Sequence, residues 1–316
     1  MTALAEIRAA RERIRDAVVE TPLVRLDAPE APCELWLKLE CLQPIGSFKL
    51  RGALNAVRSA GADAIAGGVL TASAGNMAQG VAWAAREAGV RAVVVAPETA
   101  PQTKLRAVAR LGGEVIRVPH ETWWQTMLDR SYPGVDGLFV HPVEDEPVIA
   151  GNGTIGLELC EQLDSFDAVV VPFGGGGLST GIATAVKALR PDVRVYAAEP
   201  ETAAPLTASL AAGATAAVDY RPSWVDGAGG RAVLETMWPR FAAGLLDGAF
   251  AVPLDEAAAA VRLLAERARV VAEGAGALGV AAGLAGRAGT GRVVCVVSGG
   301  NIDAVTLSAV LAGKRP

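Results

Sequence analysis

The stretch AVVVPFGGGGLSTGIATAVKALR, residues 168–190, decides how this chain folds. It opens with a short run of β-branched and apolar residues, AVVVPFG (168–174), which is typical of a strand buried on both faces. The remainder has apolar residues at helical spacing and predicts a helix, with consecutive glycines at the turn between the two. A buried strand, a glycine turn and a helix together form one βα unit of a parallel sheet.

The same alternation extends in both directions from this stretch. Strand-like runs followed by helical periodicity occur at VLTAS (69–73), RAVVVAP (91–97), EVIRVP (114–119), GLFVHP (137–142), VRVYAAEP (193–200) and RVVCVVSGG (292–300). We therefore expect an α/β fold with two open, twisted, mostly parallel sheets, each in a three-layer arrangement with helices. Between the two series, the Pro-, Gly- and acid-rich segment HPVEDEPVIAGNG (141–153) predicts a crossing between domains and the main hinge.

Composition excludes several classes of protein. The chain has 316 residues, of which 51% are hydrophobic and 20% charged, so it can bury a large core. A net charge of −5 without a basic stripe argues against nucleic-acid binding, and no apolar run is long enough to span a bilayer. The amphipathic N-terminus does not resemble a signal peptide. Four widely spaced cysteines indicate free thiols in a reducing, cytoplasmic setting and no zinc site.

The glycine turn has the character of an anion site. Glycines permit positive φ and close backbone approach, and a helix start offers unpaired N–H groups to a phosphate. The spacing is neither GxxxxGK[ST] nor GxGxxG, which argues against a nucleoside triphosphate and weakens a dinucleotide interpretation. A flexible turn without a ligand is the alternative.

Two more strand-to-helix junctions carry polar residues. In TASAGNMAQG (71–80), Ser73, Gly75 and Asn76 could bind a substrate carboxylate, or simply cap the helix. In VVSGGNID (296–303), Ser298 follows the last strand, at the sheet edge where open α/β folds bind ligands.

Lysine is scarce, and the chain has only Lys38, Lys49, Lys104, Lys187 and Lys314. Lys49 stands out because it lies between Phe48 and Leu50, directly before a helix. An amine among apolar neighbours with Arg51 nearby is expected to favour its neutral, nucleophilic form, as a Schiff base requires. The alternative for any single lysine is a surface side chain whose stem packs on apolar groups.

These motifs together resemble a known family. KLECLQPIGSFKLRGA, TASAGN, AGNGTIGLE, PFGGGGLSTGIA, VYAAEPE and VVSGGNID, in this order, look like the serine/threonine dehydratase (ammonia-lyase) and serine racemase branch of the fold-type II pyridoxal-phosphate (PLP) enzymes. That fold, shared with the tryptophan synthase β-subunit, implies PLP in a cleft between a larger domain (residues 1–60 plus 147–316) and a smaller mobile domain (61–146).

The resemblance assigns roles to individual residues. It implies that Lys49 forms the Schiff base and, once released, takes the substrate Cα proton. Phe48 is implied to lie against the cofactor ring, Asn76 to bond the ring hydroxyl and Gly227 to cover the opposite face. A neutral hydroxyl, Ser298, is implied at the pyridine nitrogen, which favours elimination over transamination. The implied cofactor-binding set is Phe48, Lys49, Asn76, Gly174, Gly175, Gly176, Gly177, Gly227 and Ser298.

A second implied set binds the substrate. It consists of Ser73, Ala74, Gly75, Asn76 and Met77. Racemases resemble this loop but carry a second serine where this chain has Ala74, so efficient racemisation is not expected. Family members usually have histidine where this chain has Met77, which cannot donate a hydrogen bond, so we expect a more apolar substrate end and a bulkier β-hydroxy amino acid.

The family's divalent-cation site is a further departure. Glu199 and Ala203 match it, but the aspartate position is Pro205, which offers no carboxylate. We therefore expect no metal, while Glu201 leaves room for a rearranged site.

The sequence thus predicts a PLP-dependent enzyme that converts a threonine- or serine-like β-hydroxy-α-amino acid to a 2-keto acid and ammonia. Three alternatives stay open: β-replacement of the cysteine-synthase type, an amino-acid racemase, and a Rossmann-like protein that binds another phosphorylated ligand. The expected partners are a small amino acid and a second copy in a homodimer, without nucleic acid or membrane.

Overall fold

The computed structural model describes residues 2–314 and residue 316. The chain divides into two compact units. The first unit comprises the residues up to Val19 together with Gln43–Thr154, and the second comprises Glu20–Leu42 and everything from Ile155 onwards. Each unit is built on its own sheet.

The first unit contains a parallel sheet of four strands. The strands are β3 (Val69–Ala72), β4 (Ala92–Pro97), β5 (Gly113–Val118) and β6 (Leu138–Phe139), arranged in the order β5-β4-β3-β6. Its helices are α1 (Leu4–Ile14), α2 (Lys49–Ala60), α3 (Ala62–Ile65), α4 (Asn76–Ala88), α5 (Gln102–Arg110) and α6 (His120–Asp129).

Alternate residues of these strands point to two different cores. Val69 and Val94 pack with α1, α2 and α4, whereas Leu70 and Val93 pack with Met127 of α6. Because both faces of the sheet are covered, β3 and β4 are buried along almost their whole length and the unit has three layers, as predicted.

The second unit contains a sheet of six strands. The strands are β1 (Leu23–Arg25), β2 (Glu34–Lys38), β7 (Ala168–Pro172), β8 (Arg194–Pro200), β9 (Gly248–Val252) and β10 (Arg292–Val296), arranged in the order β1-β2-β10-β7-β8-β9. Only the β1–β2 pair is antiparallel. Its helices are α8 (Gly177–Leu189), α9 (Pro205–Ala212), α10 (Trp238–Ala242), α11 (Leu254–Leu263), α12 (Gly274–Leu284) and α13 (Ala304–Leu311). A five-residue π turn, Leu264–Ala268, extends α11.

Residues 141–153 were predicted to form a connection without regular structure, and this prediction is wrong for the second half of the segment. Residues from Glu146 onwards form α7 (Glu146–Gln162), and the division between the units falls within this helix. Pro147 is tolerated because it lies in the first helical turn, where its missing N–H has no intrahelical acceptor to lose. Gly151 serves close packing, since a Cβ there would lie 2.4 Å from the Arg51 carbonyl oxygen.

The compact units also divide the chain differently from the predicted domains of 1–60 plus 147–316 and 61–146. Helices α1 and α2 belong to the first unit because Ile14, Leu54 and Val57 share a buried core with Val81 of α4. The α/β class and the two open sheets are confirmed. No helix in the described part of the chain combines the length and hydropathy needed to cross a membrane.

Candidate functional site

The glycine turn has the geometry of an anion site. It connects the end of β7 at Pro172 to the start of α8 at Gly177. Gly176, at the N-cap, has φ +97° and ψ −7°, in the left-handed region that glycine adopts at low cost. A side chain is also excluded by space, because a Cβ would lie 2.6 Å from Cζ of Phe241. No side chain caps α8, so its first N–H groups are presented for an external anion such as a phosphate.

Other predicted residues of the second unit lie around this turn. A Cβ on Gly174 would lie 3.6 Å from the Gly227 carbonyl oxygen, and the Gly229 N–H donates to the Phe173 carbonyl at 2.7 Å. Ser298, which is buried, follows β10, the strand beside β7 in the sheet. The structure therefore brings the tetraglycine turn, Gly227 and the end of β10 to one edge of the six-stranded sheet.

Glu273, for which the sequence predicts a structural role before the glycine-rich start of α12, lies beside the Gly227 loop. Its backbone N–H donates to the Gly299 carbonyl at 3.0 Å, and its Oε1 lies 3.5 Å from the position of a Cβ on Gly227. A buried carboxylate thus lies between the Gly227 loop and the end of β10. The only signal in the sequence is its place before the glycine-rich start of α12, which by itself predicts a structural role.

Lys49 is the first residue of α2, in the first unit, and is half-buried. Its Nζ donates to the Pro142 carbonyl at 2.8 Å and lies 5.1 Å from the centre of the Phe48 ring. Arg51 is fully buried and donates to the Val19 carbonyl and to Oγ1 of Thr154. The predicted lysine therefore has an aromatic and a backbone acceptor as neighbours.

The predicted substrate loop is also in the first unit. Gly75 is the N-cap of α4, its N–H lies 3.3 Å from Oγ of Ser73, and no atom lies within 4 Å of a Cβ placed on it. Ser73, Ala74 and Asn76 are half-buried, so part of each residue is accessible from solvent. Met77 differs, because its side chain is 2% exposed and packs in the core of the unit. The thioether is therefore no basis for a more apolar substrate end.

The residues at the implied cation site do not fit a metal. The Glu199 carboxylate is fully buried, and it accepts hydrogen bonds from the N–H of Leu206 at 2.9 Å and from the N–H and Oγ1 of Thr207 at 2.8 and 2.7 Å. The start of α9 thus occupies the oxygens that a cation would need. The Glu201 carboxylate accepts a hydrogen bond from the Leu254 N–H at the start of α11. Burial raises the pKa of Glu199 to about 7, although these three hydrogen bonds act in the opposite direction.

The cysteines do not contribute reactive groups. Burial raises the pKa of Cys41 to about 12, and it also raises those of Cys33, Cys160 and Cys295. Their thiolate forms are therefore scarce at neutral pH.

Each unit by itself carries groups typical of one class of α/β enzyme. The second unit has the uncapped glycine turn and the buried hydroxyl of Ser298 after β10, and the first has the half-buried amine of Lys49. The chemistry of these groups fits PLP, since uncapped N–H groups at the start of α8 can bind an ester phosphate and Lys49 carries an amine that can react with an aldehyde.

Comparison with known proteins identifies the family. The model of the pyridoxal-phosphate dependent enzymes matches residues 14–299. L-threonine ammonia-lyase of Thermotoga maritima is 38% identical over 317 residues, covering 98% of this chain and 78% of that protein. Human (Homo sapiens) serine racemase is 38% identical over 325 residues, covering 99% and 95%. The crystal structure of T.th. threonine deaminase has a TM-score of 0.87 at 37% identity, covering 95% of this chain and 99% of that one.

This chain belongs to the PLP-dependent enzymes, in the branch that contains threonine dehydratases and serine racemases, and PLP is its cofactor. The resemblance drawn from the sequence is confirmed. The relatives include ammonia-lyases and racemases at similar identity.

Proposed function

We propose that this enzyme is an ammonia-lyase for a threonine- or serine-like β-hydroxy-α-amino acid. Water is eliminated across the Cα–Cβ bond, and one water is taken up again when the product is hydrolysed to a 2-keto acid and ammonia, so that no water is lost overall. The L-threonine ammonia-lyase of Thermotoga maritima and the T.th. threonine deaminase support this substrate class. Homodimerisation and a cytoplasmic location stay predictions.

In this proposal each residue acts on binding or on a proton. The N–H groups at the start of α8 hold the PLP phosphate, and the loop of Ser73, Gly75 and Asn76 binds the substrate carboxylate. Bound PLP supplies the electron sink that makes the substrate Cα–H acidic. The Lys49 amine accepts this proton at Nζ. Ser298 contributes a neutral hydroxyl, which adds no charge to the cofactor ring.

Ala74 is the observation that favours elimination over racemisation. Racemisation needs a proton donor and acceptor on both faces of Cα, and Lys49 can serve only one face. Position 74 carries a methyl group, which can neither donate nor accept a proton. In this proposal position 74 therefore offers no group that could return a proton to Cα from the opposite face.

The decisive experiment uses a panel of L- and D-β-hydroxy amino acids with the holoenzyme. We expect release of keto acid and ammonia, measured by a coupled dehydrogenase assay, and little inversion of configuration by chiral chromatography. Ala74→Ser is the matched variant, and it should raise the ratio of inversion to elimination by restoring an oxygen to this loop. Inversion as the main reaction of the unaltered enzyme would replace the proposal with the racemase alternative, and a substituted amino acid would replace it with β-replacement.

The role of Lys49 has its own test. Borohydride reduction followed by peptide mass spectrometry should place the pyridoxyl group on Lys49. Lys49→Ala should lose the visible absorbance of the cofactor and at least about a thousandfold in turnover, in line with the loss of a covalent and acid–base group. Labelling of Lys38, the buried lysine in β2, would refute this assignment.

A further inference from the structure

The loop after β6 holds the acceptor for the Lys49 amine. Pro142, whose carbonyl binds Nζ at 2.8 Å, lies between His141 and Val143 in the HPVED segment. Proline has no backbone N–H to form a hydrogen bond of its own. The orientation of the Pro142 carbonyl is therefore set by the hydrogen bonds of the residues around it. The contacts that fix residues 141–145 therefore also fix the position of the lysine's acceptor.

The His141 ring fixes this loop from inside. The imidazole is 4% exposed, and its Nδ1 accepts hydrogen bonds from the N–H groups of Val143 at 3.2 Å and Glu144 at 3.0 Å. An atom that accepts from two N–H donors carries no proton of its own, so the ring is neutral with its hydrogen on Nε2. Nε2 lies 3.6 Å from Oε2 of Glu144.

Charged groups surround the loop. The backbone N–H of His141 donates to Oδ2 of Asp145 at 2.7 Å, and the Asp145 carboxylate in turn binds Arg130. Burial lowers the pKa of His141 below its ordinary value of 6.5, with Arg130 and Lys49 acting in the same direction and Glu144 and Asp145 opposing them. The neutral ring that the geometry requires is thus the stable form at neutral pH.

We propose that His141 is a positioning residue: its neutral ring, by accepting the Val143 and Glu144 N–H groups, holds the Pro142 carbonyl where it receives the Lys49 amine. When Nδ1 is protonated it becomes a donor and can no longer accept. The hydrogen bonds from the Val143 and Glu144 N–H groups to this atom are then lost. The loop then releases the carbonyl, and the amine loses the acceptor that orients it for proton transfer. This inference rests on the proposed role of Lys49 and adds an acid limit to its activity.

The first test is spectroscopic and needs no turnover. The chain has only two histidines, so ¹⁵N-histidine labelling gives a two-residue spectrum, and His120→Gln assigns it. His120 is exposed and outside the site, so this variant serves as the control. In the holoenzyme we expect His141 as the Nε2–H tautomer, titrating below 6.5. An Nδ1–H tautomer, or a protonated ring at neutral pH, would overturn the proposal.

The second test compares two substitutions. Asparagine Oδ1 is three bonds from Cα, like Nδ1, so His141→Asn retains an acceptor that does not titrate, whereas His141→Leu has none. We expect His141→Leu to lower kcat about tenfold to a hundredfold with little change in KM or in cofactor absorbance, as for a catalytic group displaced by about 1 Å. His141→Asn should recover most of that loss.

The pH profile separates this role from simple packing. In the unaltered enzyme kcat should fall on the acid side at the pH where the ¹⁵N signal of His141 titrates, and in His141→Asn that limb should move to lower pH. An acid limb that is the same in both proteins, or an unimpaired His141→Leu, contradicts the proposal. Failure of the lyase assignment is distinguishable, since borohydride labelling tests Lys49 and the tautomer is independent of the product formed.

Discussion

The ionisation of Glu199 should make a contribution to folding stability that is present at mildly acidic pH and lost at alkaline pH. Burial raises the pKa of this carboxyl from an ordinary value of 4.5 to about 7, so the folded protein holds its proton when the unfolded chain has released it. The contribution is fully present below 4.5 and is lost as the pH rises through about 7. At 1.36 kcal/mol for each pKa unit, the difference between the two values amounts to about 3 kcal/mol.

Glu199→Gln isolates this contribution because a carboxamide does not ionise. The variant is expected to lose some stability at all pH values, since its Nε2 cannot accept one of the N–H groups of α9. The informative quantity is the change in unfolding free energy between about pH 5 and about pH 8. The loss of unfolding free energy between these two pH values should be about 2.5 kcal/mol smaller in Glu199→Gln than in the wild type, because the unfolded carboxyl is already largely ionised at the lower pH.

Chemical denaturation of the holoenzyme at each pH, followed by circular dichroism, provides the measurement. Glu201→Gln is the matched control, because Glu201 is an exposed carboxylate only two residues away and should leave the pH dependence unchanged. The reasoning is refuted if Glu199→Gln retains the pH dependence of the wild type.

Three further predictions concern the glycine turn, a buried ion pair and metals. Gly176→Ala should weaken PLP binding and cost about 1–3 kcal/mol through overlap with Phe241, whereas Gly213→Ala, at φ +69° with open space around it, should leave PLP affinity intact in a fluorescence titration. Lys38→Met should cost about 3–5 kcal/mol in denaturant unfolding, because it leaves the buried Glu158 carboxylate, 2.5 Å from Nζ, without its cation. Arg91→Met, which breaks the exposed pair with Glu114, is the control, and a loss in Lys38→Met no larger than in this control would contradict the prediction. Chelation by EDTA should change neither activity nor melting temperature, and a metal-dependent loss of either would show that a cation binds after all.

The fold was largely predictable because its central strands are buried on both faces. Runs such as AVVV at 168–171 leave no polar residue for solvent, so they indicate central strands of covered parallel sheets. The crossing at 141–153 was harder to predict because proline, glycine and acidic residues suit both a loop and the start of a helix. Gly151 owes its place to close contact with Arg51, a partner far away in the chain that local sequence does not reveal.

The candidate site likewise combines features that local sequence predicts with features that depend on contacts between distant residues. The order of the motifs identified the family and, with it, the cofactor. The roles of Lys49 and the glycine turn stay predictions, which rest on the local chemistry of an amine for an aldehyde and of bare backbone for a phosphate. Met77 was predicted to line the substrate end, but its side chain packs in the core of the first unit. Its place next to Asn76 in the sequence does not show which side of the first turn of α4 faces the core.

By itself, the sequence determined the α/β class and the family. It also predicted the candidate groups that need no tertiary partner, which are the amine of Lys49 and the bare backbone of the glycine turn. Only the tertiary structure decided that Glu199 bonds the start of α9, that Glu273 lies beside Gly227 and that His141 supports the acceptor of Lys49. Each of these depends on where a side chain's partners lie in space. Burial and hydrogen bonding between distant segments set the protonation state of a carboxylate or an imidazole, and residue type alone does not.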